Sequence, residues 1–163
     1  KLEENGAHVI AKEGRQTGAM LEEFKDFLAN VQARKIPKPK RVIILGGVND
    51  VVSGVNLNKT KRNLEKIYSL ARENGISVTA CTQYRLNTEV FLQNYESRRN
   101  RKYQFSAAEL DARIDDLNDW IRAQTNVDKI VNLDIDIQKA GLSKDGLHPT
   151  AATYKKMSAL LAV

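Results

Sequence analysis

Cysteine is nearly absent from this sequence, with Cys81 the single thiol among 163 residues. A disulfide framework and a cysteine-built zinc site are therefore excluded, and Cys81, inside an expected strand, reads as a small core residue. No apolar stretch approaches the roughly 20 residues of a membrane-spanning helix. Internal repeats, low-complexity tracts and a phosphate-cradling glycine loop are all missing, and Gly46-Gly47 alone is too short to support a flavodoxin-like nucleotide binder. Acidic residues are outnumbered, 20 against 26 basic, giving a net charge of +6. That balance favours anionic surroundings such as cell-wall polymers, nucleic acid or anionic membranes without choosing among them. An initiating methionine is lacking too. Lys1–Asn5 reads as the tail of a helix stopped by Asn5-Gly6, so the expectation is that residues upstream are missing. No signal peptide is visible, and localisation stays open.

What is present is an ordinary globular composition, 42% apolar, long enough for one domain with a full core. In chain order, Ala7–Ala11 reads as a short strand, and His8 on it as a plain surface or core histidine. A loop over 12–18 leads to a helix whose apolar residues Met20, Leu21, Phe24, Phe27, Leu28 and Val31 recur at helical spacing. The basic, proline-containing stretch 34–41 is a solvated connection. Arg41–Leu45 is β-branched and apolar, as expected of a strand covered on both faces. Gly46 and Gly47 let the chain turn, and residues 51–56 form a loop. Lys59–Asn74 is a second helix with Leu64, Ile67, Leu70 and Ala71 inward, and Ile76–Thr82 the next strand. Residues 83–105 read as a long irregular, partly helical lid or insertion rich in Arg, Tyr and Phe. With no recognition motif around these residues, nucleic-acid binding is disfavoured. Ser106 and Glu109 form a capping box for a helix over 106–124, which accounts for Ser106 as a cap. Asp128–Ile137 reads as a strand, and a final helix capped by Thr150 buries Tyr154, Met157, Leu160 and Leu161.

Strand alternating with helix in this way predicts a three-layer α/β/α domain with a mainly parallel, flavodoxin-like sheet. Sites in such sheets lie beyond the carboxyl ends of the strands. Gly14, Gly47, Asn49, Tyr84, Arg85 and the turn Asp145-Gly146-Leu147-His148 all follow strands in this reading, so they can converge on one rim. An Asp three residues before a His places a carboxylate and an imidazole on one turn, able to act as a proton-transfer unit near neutral pH. Blander readings stand beside these: Gly14 and Gly47 relieving backbone strain, Asn49 capping its loop, His148 capping a turn.

Taken together, Gly47-Val48-Asn49-Asp50 and Asp145-Gly146-Leu147-His148-Pro149 resemble two conserved blocks of the SGNH or GDSL-type hydrolases, and Glu13-Gly14-Arg15 looks like a third, with Gly18 an alternative to Gly14. The resemblance runs through essentially the whole chain, 1–163, as a single domain. It implies that His148 is the general base and Asp145 its orienting partner, that Gly14 and Asn49 donate to an oxyanion, and that Gly47, Tyr84 and Arg85 border the substrate. Asp50 is expected to fix a loop. No cofactor or metal is implied. The family's Gly-Asp-Ser block occurs nowhere in the sequence, so the first strand, normally central, and the nucleophile are expected to lie upstream or on a partner chain. The implied activity is hydrolysis of a small acyl ester, with an acetylated glycan or cell-wall ester the favoured substrate. The alternative is an SGNH-fold binding or structural module without catalysis.

Overall fold

The computed structural model describes residues 9–137 and 141–162. Three strands, β1 (Arg41–Ile44), β2 (Ser77–Cys81) and β3 (Lys129–Val131), form one parallel sheet in the order β1-β2-β3. Arg41 sits opposite Ser77, and Thr79 opposite Lys129. Helices fill the connections: α1 (Thr17–Gln32), α2 (Val48–Ser53), α3 (Leu57–Glu73), α4 (Thr88–Arg99), α5 (Ala107–Arg122), α6 (Leu133–Asp136) and α7 (Ala151–Leu161). The fold is thus the expected parallel α/β type. No helix among the described residues is long and apolar enough to cross a membrane.

Sheet position decides burial. β2 has a neighbour on each side, and Val78, Thr79, Ala80 and Cys81 are all buried, as parallel strands covered by helices must be. β1 has one neighbour among the described residues, and of its four residues only Ile44 is buried. Val42 and Ile43, on opposite faces of β1, are half-buried against the core, so both faces are covered in part. Against the sheet pack the apolar stripes of α3 (Leu64, Ile67, Tyr68, Ala71) and α5 (Leu110, Ile114, Leu117, Ile121), all essentially inaccessible. Each Leu or Ile among them contributes about 1.5–3 kcal/mol by leaving water.

Four expectations need revision. Val9–Ala11 is not in a strand; Ala7 and His8, like the helix tail over Lys1–Asn5, lie outside the described residues. The first half of the loop expected over 51–56 is the end of α2, closed by Gly54 in the left-handed region. The run Asp128–Ile137 is a strand only to Val131, because the chain then turns into α6. Alternation of Val131, Leu133, Ile135 and Ile137 mimics a strand, but Ile135 is 63% exposed. Asp134 explains the turn: Thr82 Oγ1 donates to its carboxylate at 2.6 Å, Arg122 pairs with it, and its own N–H reaches Thr82 Oγ1. Finally, Tyr154, expected in the core, is 52% exposed. The capping box does form, with the Ser106 N–H donating to Glu109 Oε2 at 2.7 Å and Ser106 Oγ accepting from the Glu109 N–H.

Candidate active site

The Asp145–His148 turn is built largely by itself. Leu142 and Pro149 bridge in antiparallel fashion, and the Ser143 N–H donates to the His148 carbonyl at 2.7 Å, closing the loop. Inside it, Asp145 Oδ1 accepts from Ser143 Oγ (2.6 Å) and from the backbone N–H groups of Leu147 (2.8 Å) and His148 (2.9 Å). Asp145 Oδ2 faces His148 Nδ1 at 2.7 Å. Partial burial works against ionisation of Asp145, but the hydrogen bonds from Ser143, from the His148 ring and from the two backbone N–H groups outweigh it. They hold the carboxyl well below the usual carboxylate range. An ionised Asp145 only accepts, so Nδ1 carries a proton, and in the neutral imidazole the lone pair is then on Nε2. Pro149 ends the turn, and Thr150 Oγ1 caps α7 by accepting from the Thr153 N–H.

The second wall comes from the end of β1. Gly47 has φ +123, and a Cβ there would lie 2.6 Å from Leu117 Cδ2, so both the backbone and the space call for glycine. The turn delivers Asn49 to the first turn of α2, where its Nδ2 donates to the Arg15 carbonyl at 2.9 Å. One amide proton is thereby spent on the Gly14 loop and the other is left over. Next to it Asp50, 1% exposed, accepts from the Thr17 N–H (2.9 Å), Thr17 Oγ1 (2.5 Å) and Thr60 Oγ1 (3.1 Å). Asp50 therefore ties the start of α1, and with it the Gly14 loop, to the Asn49 loop. Gly14 is exposed with φ +68, and a Cβ on it would touch nothing within 4 Å. Backbone conformation alone asks for glycine there.

These pieces meet. A cavity of about 500 Å³ is bordered by Gly14, Gly47, Asn49, Tyr84 and His148, with Asp145 behind the imidazole. Gly18, the alternative to Gly14, does not border it. Arg85 does not either: its guanidinium is 2.5 Å from Asp115 on α5. Tyr84 and its neighbour Gln83 border the cavity from the segment that follows β2. Burial first, with the nearby Tyr154 and Asp145 adding to it, pushes the Tyr84 phenol up, so it is a neutral hydroxyl at any working pH. Among the described residues no serine, threonine or cysteine borders the cavity.

Sequence reasoning missed three participants. Gln83, fully buried, donates from Nε2 to the Gly46 carbonyl at 2.8 Å and so steadies the turn before Asn49. Asn118 on α5 clamps the Gln83 backbone from both sides, accepting from its N–H (2.6 Å) and donating to its carbonyl (2.9 Å). Tyr154 borders the cavity from α7. A polar residue amid the apolar stripe of α5 was the available signal for Asn118.

A parallel α/β domain with an Asp–His turn and glycine-bordered loops at the strand ends has the fold of the SGNH hydrolases, and solved structures agree. A GDSL-like lipase from Bacteroides thetaiotaomicron superposes with a TM-score of 0.75 at 24% identity, covering 99% of this chain and 76% of that one. The esterase EstA from Pseudoalteromonas sp. gives 0.57 at 16% identity, covering 99% and 79%. AlinE4, an SGNH-hydrolase family esterase, gives 0.58 at 20%, covering 99% and 77%. No curated protein sequence matches significantly. The model of the GDSL-like lipase/acylhydrolase family matches residues 2–156, and the chain belongs to that family. Ester hydrolysis is the general function that follows.

Proposed function

We propose that this chain is the acid–base and oxyanion-binding part of a serine esterase acting on small acyl esters, acetyl esters of carbohydrate above all. The observation that carries the proposal is the convergence of His148, Asn49 and Gly14 on one cavity, with Asp145 bonded to the far side of the imidazole. His148 Nε2 takes the proton of a serine hydroxyl as it attacks the ester carbonyl, and returns it to the leaving alcohol. Asp145 holds the Nδ1–H tautomer and stabilises the imidazolium. The Gly14 N–H and the remaining Asn49 amide proton stabilise the oxyanion, each worth about 3 kcal/mol in the transition state. Gly47 lets the backbone pass close to the substrate, and Tyr84 forms part of the cavity wall.

The nucleophile in this proposal is a serine from polypeptide outside the 163 residues, on the same chain or a partner. Support comes from the cavity, which offers no serine of its own among the described residues, and from the outer edge of β1, which has no strand beside it among those residues. Charged Lys12, Glu13 and Arg15 interrupt a lining that otherwise includes Ile10, Met20, Leu45, Val48 and Leu147, and the proposal takes a short acyl group to fit there. The test is covalent labelling of the full gene product with a fluorophosphonate, followed by peptide mass spectrometry. A single labelled serine in a Gly-Asp-Ser context, lost in His148→Ala, is the expected result. Absence of labelling favours a binding module that kept the fold.

A further inference from the structure

We propose that Asn94 is a positioning residue for the Asp145–His148 pair, and that α4 is the brace against which the acid–base turn is set. This rests on the reading of that pair as the proton-transfer unit. Bonds inside the turn fix its shape, whereas bonds from another element fix where it sits. Among the described residues, the hydrogen bonds that reach residues 142–149 from such an element both come from α4 and its cap. Asn94 Nδ2 donates to the Lys144 carbonyl at 3.0 Å, and the Asn87 N–H donates to the Gly146 carbonyl at 2.9 Å. The carbonyls on either side of Asp145 are therefore both held.

Asn87 serves both elements, since its Oδ1 also accepts from the Val90 N–H to cap α4. Contact is close enough to exclude a side chain at the tip of the turn. Gly146 has φ +74, and a Cβ on it would lie 2.6 Å from the Asn87 carbonyl oxygen and 2.7 Å from the Phe91 nitrogen. Of the twelve residues of α4 only Thr88 is buried, with Phe91 and Leu92 half-buried against the core. The face carrying Val90, Phe91 and Asn94 also presses on the segment that carries the imidazole.

Asn94→Leu removes the donor while keeping the branched side-chain skeleton of four heavy atoms on a half-exposed helix, so folding is preserved. With the full gene product and a simple chromogenic acetate, kcat is expected to fall about tenfold with KM held within about twofold, as for a small displacement of a proton-transfer group. The downfield Nδ1–H resonance of His148 should broaden through faster exchange with water, a readout that an ordinary loss of stability does not mimic at temperatures far below melting. Gly146→Ala, acting from the other side, should give the same pair of changes. Gln93→Leu, an exposed neighbour on the same helix, is the control. If Asn94→Leu leaves rate and resonance at wild-type values while Asp145→Asn abolishes the resonance, the brace inference is wrong; a lost rate with an intact resonance also counts against it. If Asp145→Asn itself changes neither, the failure lies in the reading of the pair.

Discussion

Asp50→Ala is expected to cost about 4 kcal/mol of folding stability, because it strands buried donors with nowhere else to go. Three hydrogen bonds end on this carboxylate, and both donating residues, Thr17 and Thr60, are fully buried. Thr60 Oγ1 has a fallback in the Asn56 carbonyl at 3.5 Å, so its loss is partial. The Thr17 N–H at the start of α1 has none, since it precedes the first intrahelical bonds. Two donors left without acceptors at about 1–3 kcal/mol each, together with the lost strength of bonds to a carboxylate, give the figure. For a domain of this size, about 1 kcal/mol corresponds to roughly 2–4 °C, so the melting temperature should fall by about 8–16 °C. Asp50→Asn keeps the shape but turns an N–H toward one donor, and should cost about half as much. Urea denaturation of the three proteins at pH 7 measures this as a shift of midpoint at constant slope. A loss below about 1 kcal/mol for Asp50→Ala would refute the reasoning.

Gly47→Ala should destabilise by about 2–4 kcal/mol in the same assay, combining backbone strain at φ +123 with the contact at Leu117; Leu117→Ala in the same molecule should recover none of the strain part. Ser106→Ala should cost about 1 kcal/mol through loss of the α5 cap. Asp145 gives a pH dependence whose sign is fixed. Its folded pKa is depressed, so its contribution is complete above the unfolded value of about 3.9 and is lost as pH falls below that. Wild type should therefore exceed Asp145→Asn in stability at pH 7, with the gap closing on acidification. A gap that persists unchanged to the lowest pH at which both remain folded would contradict this.

What could be read from the sequence divides along physical lines. Local arrangements were legible: the Ser106–Glu109 box and the Asp145–His148 pair each close within three residues, so spacing alone defines the geometry. Core helices were legible because a 3.6-residue stripe has few other uses. Side-chain direction at strand ends was not, and Arg85 was placed with Tyr84 although it pairs with Asp115 on α5 instead. Period-2 apolar spacing misled at Leu133–Ile137, where buried Asp134 finds Thr82 and Arg122 by turning the chain. Helical spacing misled at Tyr154, since a stripe does not reveal that one of its members ends at a cavity. The Gln83–Asn118 clamp depends on contacts 35 residues apart, which no local pattern encodes.

The central claim is that the imidazole facing this cavity moves the proton in ester cleavage. The direct measurement is kcat/KM for 4-nitrophenyl acetate with the full gene product and its His148→Ala variant, both folded by circular dichroism. A fall of about a thousandfold is expected from loss of the base. Equal rates would contradict the account.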